Sequence, residues 1–257
     1  MRVWRIVWHL MDTAFIIGNG ESRKIFPIQN LKGRGVVYGC NAIYRDHPTL
    51  CDHIVAVGPE MFQELQDWHG STNTKVRIHG INDVSGWNYI CEGDAEHDVP
   101  EGLKLYRIWR GGDIKKGNKI KTNDFSKARG SGCSAVLMAA ESGIRNVVIL
   151  AFDIMGARQW EMETPSRIQN NIYKETMNYP GRESMKAYLK YEWMYQLRQT
   201  FRRFPQTNFY FINRKEYLEG NPFLRWYFDQ PNIKSGIYAD LQRWISGLRD
   251  DIKWRRL

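Results

Sequence analysis

Short apolar runs that each end in a polar or glycine turn are the feature of this 257-residue chain that most constrains its fold. Four such runs cover residues 13–17, 35–39, 53–57 and 75–79. The first three end at Gly18, Asn41 and Pro59. Uninterrupted apolar runs with polar turns at their carboxyl ends are typical of buried parallel strands. The pattern predicts an α/β fold with a mostly parallel, Rossmann-like sheet and helices on both faces.

The second half of the chain alternates helix and strand signals. A small-residue helix is predicted from Ser131 to Ser142, where Gly143 closes it, and a strand follows over 146–153. Further predictions are a helix over 183–204, a strand over 208–213 and a basic, aromatic, helical tail over 215–257. Residues 109–119 are predicted to form a mobile loop or hairpin. We expect one domain over 1–257, with a lid or small subdomain over 154–182, where no period is visible.

The loop Gly18-Asn19-Gly20-Glu21-Ser22 follows the first predicted strand. Glycines let a backbone approach a phosphate without a Cβ clash, and open α/β sheets bind ligands at this edge. The loop lacks the third glycine of a dinucleotide fingerprint, because Arg23 stands there. It therefore predicts a phosphate cradle, with a plain strand–turn as the alternative.

Two further turns are predicted at the same sheet edge. Asn41 follows the second strand, and its carboxamide can meet a base or ribose, although a turn-forming role is the alternative. Ser131 and Gly132 open the next helix, where they act at least as a helix cap and at best as an anion site. Together with the glycine loop, these turns predict a nucleotide site.

The order of these pieces resembles the bacterial sialyltransferase-type glycosyltransferases and related bacteriophage proteins that share their nucleotide-binding core. The pieces are Ile16–Gly20, Gly39–Asn41, Ser131–Gly132 and Val147–Asp153, and the match spans roughly residues 13–155, more loosely to about 213. The resemblance implies a GT-A-like core with a lid. It also implies a CMP-sugar as donor and inverting transfer to an acceptor hydroxyl without a metal ion or other cofactor. The chain has no Asp-x-Asp metal motif.

The resemblance also implies roles for individual residues. The residues that would approach the donor phosphate are Gly18, Asn19 and Gly20, within a loop that Glu21 and Ser22 complete. The residues that would meet the nucleotide are Asn41, Ser131 and Gly132. The lid would contribute Tyr173 and Tyr179 near the phosphate. Glu21 stands where the family often has Pro, so it would contact a sugar or cap the next helix.

The general base is where the chain departs from this family. The family's lid usually carries a His for this purpose, but none of the six histidines follows Asp153. An inverting transfer needs a group that takes the acceptor proton, so the candidates are Asp153, Glu161, Glu163 and Glu175. The alternative is a non-catalytic protein that binds nucleotide or nucleic acid.

The net charge of +9 is unevenly spread. Residues 102–130 hold nine Lys or Arg against two Asp or Glu, and residues 180–257 hold fifteen against eight. Such segregation predicts a polyanionic partner, with a solvated basic face as the alternative. Modified, hydroxymethylated phage DNA is the favoured acceptor, contacted through 104–129 and 182–256. A surface glycan or lipopolysaccharide is the alternative acceptor.

The four cysteines, Cys40, Cys51, Cys91 and Cys133, show neither a Cys-x-x-Cys pair nor zinc-ligand spacing. They predict free thiols in a reducing cytoplasm, which is the host cytoplasm if a phage encodes the chain. No apolar run reaches the roughly 18 residues of a membrane span, and we expect no signal peptide.

Overall fold

The computed structural model describes residues 12–80, 96–98, 119–121, 130–154, 171–179, 188–219, 224, 228–248 and 252–256. Its centre is a seven-stranded sheet in which all neighbours are parallel. The strands are β1 (Thr13–Ile17), β2 (Val36–Cys40), β3 (His53–Val55), β4 (Arg77–His79), β7 (Asn146–Leu150), β8 (Asn208–Asn213) and β9 (Ile233–Ile237). Two short strands, β5 (Glu96–Asp98) and β6 (Lys119–Lys121), pair antiparallel with each other.

The strand order is β4-β3-β2-β1-β7-β8-β9. The chain therefore builds one half of the sheet from β1 outward and then returns to the other side of β1 with β7. The strand order reverses between β1 and β7, and this is where open α/β sheets place a ligand crevice. The prediction of an α/β fold with a parallel, Rossmann-like sheet is confirmed at this level.

Five α-helices and three 3-10 helices occur in the described part of the chain. The α-helices are α1 (Pro59–Ser71), α2 (Ser131–Glu141), α3 (Tyr188–Arg203), α4 (Lys215–Glu219) and α5 (Tyr238–Ile245). The 3-10 helices are Glu21–Ile25, Ile28–Leu31 and Asn41–Arg45.

Apolar layers cover both faces of the sheet, because successive side chains of a strand point to opposite sides. Ala14 and Ile16 of β1 belong to the layer that also contains residues of α2 and α3. Phe15 and Ile17 belong to the opposite layer, which includes residues of α1 and α5. All five residues of β1 are buried, so this strand lies between the two apolar layers.

Two predictions need correction. The strand predicted over 146–153 ends at Leu150, because Ala151 adopts a left-handed backbone with φ of 58°. The tail predicted as helical contributes β9, which pairs with β8 along its whole length. In the same tail, Trp244 and the half-buried Trp254 pack edge-on or tilted against Tyr210 and so contribute to the apolar layer on that face of the sheet.

Other predictions fall partly outside the described residues. Of the proposed lid, the structure describes Ile154 and residues 171–179; of the basic stretch 104–129, it describes β6 alone. Cys40, Cys51 and Cys133 are buried free thiols, and Cys91 lies outside the described residues. Within the described residues, no helix is both long and apolar enough to cross a membrane.

Candidate functional site

A cavity of about 340 Å³ opens at the carboxyl edge of the sheet, where β1 and β7 end. This volume lies in the range of small-molecule sites. The loops after β1, β2, β3 and β7 form its walls, together with the first turns of α1 and α2. The lining residues are Gly18, Asn19, Gly20, Cys40, Asn41, Val57, Gly58, Met61, Gly130, Ser131, Gly132, Cys133, Ala151, Phe152, Asp153, Ile154, Asn171, Asn178, Tyr179 and Trp193.

Two helices begin at this cavity. Gly58 precedes the first turn of α1 and Gly130 precedes that of α2, and both lie in the cavity wall. The first N–H groups of a helix have no partner inside the helix, and the helix dipole places partial positive charge there. Two such ends facing one cavity favour a ligand that carries an anionic group.

The glycine loop is packed against the end of β7. The N–H of Gly18 donates to the carbonyl of Leu150, and that of Gly20 to the carbonyl of Ala151, both at 2.9 Å. A Cβ at Gly18 would lie 2.4 Å from the Ala151 oxygen, and a Cβ at Gly20 would lie 2.5 Å from Cγ of Asp153. The glycines are therefore required first by this close approach of two strand ends, which in turn places the loop in the cavity wall.

The end of β2 is joined to the start of α2 by side-chain hydrogen bonds. The Ser131 hydroxyl donates to Oδ1 of Asn41 over 2.7 Å and accepts from the Val57 N–H over 3.2 Å. Asn41 has a left-handed backbone with φ of 52°, a conformation that Asn tolerates better than most residues. The turns after β2 and β3 and the first turn of α2 are thus fixed relative to one another around the cavity.

Asp153 is the one charged residue in the described cavity wall. Its side chain is 1% exposed, and both carboxylate oxygens are occupied. Oδ1 accepts from the Ser22 hydroxyl at 2.6 Å and from Asn213 at 3.0 Å, and Oδ2 accepts from the Ser22 N–H at 2.9 Å. Burial raises the pKa of Asp153, and the bonds from Ser22 and Asn213 with the charge of Arg214 offset part of that rise.

Residues 171–179, which we call the strap, run across the glycine loop. Gly20 forms an antiparallel β-bridge with Asn171, and the Ile172 N–H donates to the Asn19 carbonyl at 2.9 Å. At the other end of the strap, the Asn19 carboxamide donates to the Tyr179 hydroxyl at 2.8 Å. Burial raises the pKa of Tyr179, which keeps the phenol protonated. The strap thereby brings three of its residues, Asn171, Asn178 and Tyr179, into the cavity wall.

An ion pair ties the outer side of the strap to α1. Arg45 donates to Glu64 through Nε at 2.8 Å and to the Met177 carbonyl at 2.9 Å. Asn178 donates to the same carboxylate at 2.7 Å, and the Tyr44 hydroxyl also donates to it. Burial alone would raise the pKa of Glu64, but the bonds from Arg45, Tyr44 and Asn178 lower it overall.

The structure brings together eight of the residues predicted for the site. The wall contains Gly18, Asn19, Gly20, Asn41, Ser131, Gly132, Asp153 and Tyr179. Four others lie outside that wall. Ser22 is buried behind Asp153, Glu21 pairs with Lys174, Tyr173 bonds to Arg23, and Glu175 is an exposed turn residue with φ of 64°. Glu161 and Glu163 lie outside the described residues.

Several residues of the site were not predicted. Gly58 and Met61 belong to it because α1 begins after β3, a connection that the Gly-Pro turn signalled without assigning to a site. Trp193 is on α3 and packs on Gly130 and Cys133, which lie 63 and 60 residues before it in the chain, so only tertiary packing brings it there. Asn171 and Asn178 stood in a stretch with no sequence period.

The described wall holds no Lys or Arg, so neutral donors dominate it. They are backbone N–H groups, the carboxamides of Asn19, Asn41, Asn171 and Asn178, and the hydroxyls of Ser131 and Tyr179. Three of these side chains already donate within the protein: Asn19 to Cys40 and Tyr179, Asn178 to Glu64, and Ser131 to Asn41. No group of three or more His, Cys, Asp or Glu that could hold a metal ion occurs among the described residues. Comparison of the chain with protein-family models, with curated proteins and with solved structures found no match.

Proposed function

We propose that this protein binds a nucleotide at the cavity between β1 and β7. The observation that carries the proposal is that two helix N-termini, at Gly58 and Gly130, and the glycine loop 18–20 meet at one cavity. Such an arrangement suits a phosphate group. Carboxamides and apolar surface around it, including Met61 and Trp193, suit a base and a ribose.

The charge of the cavity favours a ligand with few phosphates. Nucleoside triphosphates carry several negative charges, and a wall of neutral donors with one carboxylate does not balance them. A single phosphate, as in a nucleoside monophosphate or in a CMP-sugar, is better matched. This agrees with the donor that the resemblance implies.

We further propose that the bound species is a CMP-sugar donor and that the protein is a metal-independent inverting glycosyltransferase. In such a transfer an acceptor hydroxyl attacks the anomeric carbon while the bond to the phosphate oxygen breaks and the nucleotide leaves with the electron pair. The acceptor proton passes to a base. Asp153 lies in the described cavity wall and has a raised pKa, while Glu163 and Glu175 are the alternative bases.

One observation favours a second candidate function, nucleotide binding without transfer. Both oxygens of Asp153 already accept hydrogen bonds from the protein, so this carboxylate holds the loop after β1 against β7 and β8. A general base must have an oxygen free for the acceptor proton. If Asp153 is such an anchor, the described wall contains no other carboxylate.

Calorimetric titration of the full chain with CMP, UMP, AMP and GMP tests the binding half. Ser131→Ala is expected to weaken binding of the best nucleotide about fivefold, because it removes the hydrogen bond by which Ser131 fixes the Asn41 carboxamide in the cavity wall. Ser142→Ala makes the same change at the other end of α2 and is expected to have no effect. Binding of no nucleotide overturns the proposal.

Mass spectrometry of acceptors incubated with nucleotide sugars tests the transfer half. Hydroxymethylated DNA and lipopolysaccharide are offered separately, so that a mass shift identifies the acceptor. Asp153→Asn, Glu163→Gln and Glu175→Gln are compared one at a time, and loss of transfer in a variant that still binds the nucleotide identifies the base. Nucleotide binding without transfer to either acceptor from any donor sugar supports the second candidate function.

A further inference from the structure

Arg23 is a buried cation directly behind the glycine loop. It lies in the 3-10 helix Glu21–Ile25, and its side chain is 3% exposed. A buried guanidinium is costly unless its donors find acceptors, and both Nη atoms of Arg23 do. Nη1 donates to the Gly18 carbonyl at 3.3 Å and to Oδ1 of Asn19 at 3.4 Å, and Nη2 donates to the Tyr173 hydroxyl at 2.7 Å.

These contacts decide which way the Asn19 carboxamide points. An arginine side chain has donors only, so the Asn19 atom that faces Arg23 must be the oxygen. The nitrogen of Asn19 is then left to donate to the Cys40 carbonyl at 3.0 Å and to the Tyr179 hydroxyl at 2.8 Å. Arg23 thus holds both ends of the strap, one through Tyr173 and the other through Asn19.

The positive charge of Arg23 is only partly balanced. Its acidic partner, Asp46, is 3.3 Å away, but the Asp46 side chain is 44% exposed and its charge is screened by water. The field of Arg23 reaches the cavity wall: burial raises the pKa of Cys40 to about 12, and the Arg23 charge acts in the opposite direction. No Lys or Arg belongs to the described wall, so this buried charge matters for an anionic ligand.

We infer that Arg23 is a positioning residue of the nucleotide site, which orients Asn19, holds the strap against the cavity and supplies buried positive charge that favours a phosphate. This inference rests on the proposed function for its ligand. Arg23 does not line the cavity, so it acts through Asn19, through the strap and through its charge.

The experiment compares Arg23→Met with Lys24→Met. Both variants lose one positive charge at adjacent positions, but the Lys24 side chain is 58% exposed. Hydrogen–deuterium exchange without nucleotide is followed in peptides covering 171–179. Faster exchange in Arg23→Met alone is expected. Exchange as slow as in Lys24→Met overturns the positioning role, whatever the outcome with nucleotides.

Calorimetry with CMP and with cytidine separates the charge from the positioning. Arg23→Met is expected to weaken the binding of CMP on the order of tenfold more than the binding of cytidine, because only CMP carries the phosphate. Arg23→Lys keeps the charge and is expected to restore that preference while exchange in the strap stays fast. Equal losses for CMP and cytidine overturn the electrostatic role.

Failure of nucleotide binding and failure of the Arg23 variant to fold have different consequences. If the wild-type protein binds no nucleotide, the proposed function fails, and the exchange experiment still tests whether Arg23 positions the strap. If Arg23→Met does not fold, Tyr173→Phe takes its place in the exchange experiment, since it removes the acceptor of the 2.7 Å bond and keeps the ring. Tyr173→Phe with exchange as slow as in the wild type then overturns the positioning role.

Discussion

At the scale of single residues, the glycine loop shows how closely two strand ends can approach. The place of a Cβ at Gly20 is already taken by the Ala151 carbonyl and by the Asp153 carboxylate. The same carboxylate accepts two bonds from Ser22, so the loop and the end of β7 form one hydrogen-bonded unit. Any side chain at Gly20 must separate them.

We expect Gly20→Ala to lower the free energy of unfolding by about 1–3 kcal/mol, which is typical of overpacking a buried site. Gly70→Ala is the control. Gly70 is an exposed residue of α1, and a Cβ there meets no atom within 4 Å, so a gain of up to about 1 kcal/mol is expected. Urea titrations of both variants measure the difference. If Gly20→Ala has the same urea midpoint as the wild type, the ends of β1 and β7 can move apart at little cost in folding free energy.

At the scale of elements, the strap is fixed to α1 by one partly buried ion pair. Arg45 and Glu64 have side chains that are 22% and 12% exposed, and Asn178 and Tyr44 share the carboxylate. Because this pair also holds the Met177 carbonyl, it stabilises the outer side of the strap independently of Arg23.

Glu64→Gln is expected to destabilise the protein by about 1–3 kcal/mol, because it leaves Arg45 without its charged partner. It is also expected to speed proteolytic cleavage within residues 171–179. Glu60→Gln makes the same change at an exposed position of the same helix and is expected to stay within about 0.5 kcal/mol of the wild type. Equal cleavage rates in the two variants would contradict a role of the pair in holding the strap.

The outer strands β3 and β4 carry a pair of histidines. Nδ1 of His53 lies 2.9 Å from Nε2 of His79, and the His53 ring stacks on Tyr38 with centroids 4.5 Å apart. Burial, followed by the nearby His79 and Arg77, lowers the pKa of His53 to about 4 from 6.5. The folded protein therefore favours the neutral imidazole.

A folded-state pKa below the unfolded one means that His53 stabilises the fold above about pH 6.5 and that this contribution is lost as the pH falls toward 4. We expect a loss on the order of 2–3 kcal/mol from this residue. The variant His53→Gln has no imidazole to protonate at this position, so it is expected to lack this acid-dependent loss of stability. The test is the difference between the urea stabilities of wild type and variant from pH 8 to pH 4. A difference that does not change with pH would contradict the lowered pKa.

At the scale of the whole molecule, the net charge of +9 points to a polyanion, but much of the described basic surface near the carboxyl end is paired. Arg198 lies 3.2 Å from Asp229, Arg243 lies 3.1 Å from Asp240, and Arg255 lies 2.8 Å from Glu219. These pairs reduce the number of unpaired basic side chains that could contact a phosphate backbone. The proposal of a DNA acceptor therefore depends on the rest of the basic segments.

We expect the full chain to bind duplex DNA with a Kd on the order of 10⁻⁴ to 10⁻⁶ M at physiological salt. The logarithm of this Kd is expected to rise linearly with the logarithm of the salt concentration. Fluorescence anisotropy over a series of salt concentrations measures the slope. If the protein does not bind DNA, or if its Kd does not depend on salt, DNA is excluded as the acceptor and the glycan is the remaining proposal.

The sequence predicted those elements whose local pattern is strong. β1 and β8 lie where predicted, and α2 ends one residue before its predicted end, because a continuous apolar run or a small-residue helix can be recognised within its own window. β9 was missed. Its segment Ile233–Ile237 reads Ile-Lys-Ser-Gly-Ile, which is short and is neither a continuous apolar run nor a regular alternation, and it is a strand because β8 offers it an edge to pair with.

The residues of the candidate site likewise divide into those that local sequence patterns predicted and those that only tertiary packing placed. The sequence by itself determined that turns rich in glycine, asparagine and serine follow the strands, so Gly18, Asn41 and Ser131 could be assigned to one sheet edge. The carboxyl ends of parallel strands lie at one edge of a sheet, so the repeated strand–turn pattern assigns these turns to that edge without the strand order being known. Only the tertiary structure decided that Asp153 is occupied on both oxygens and that Arg23 is buried behind the loop. Such contacts join residues far apart in the chain, and their geometry comes from packing that no local pattern records.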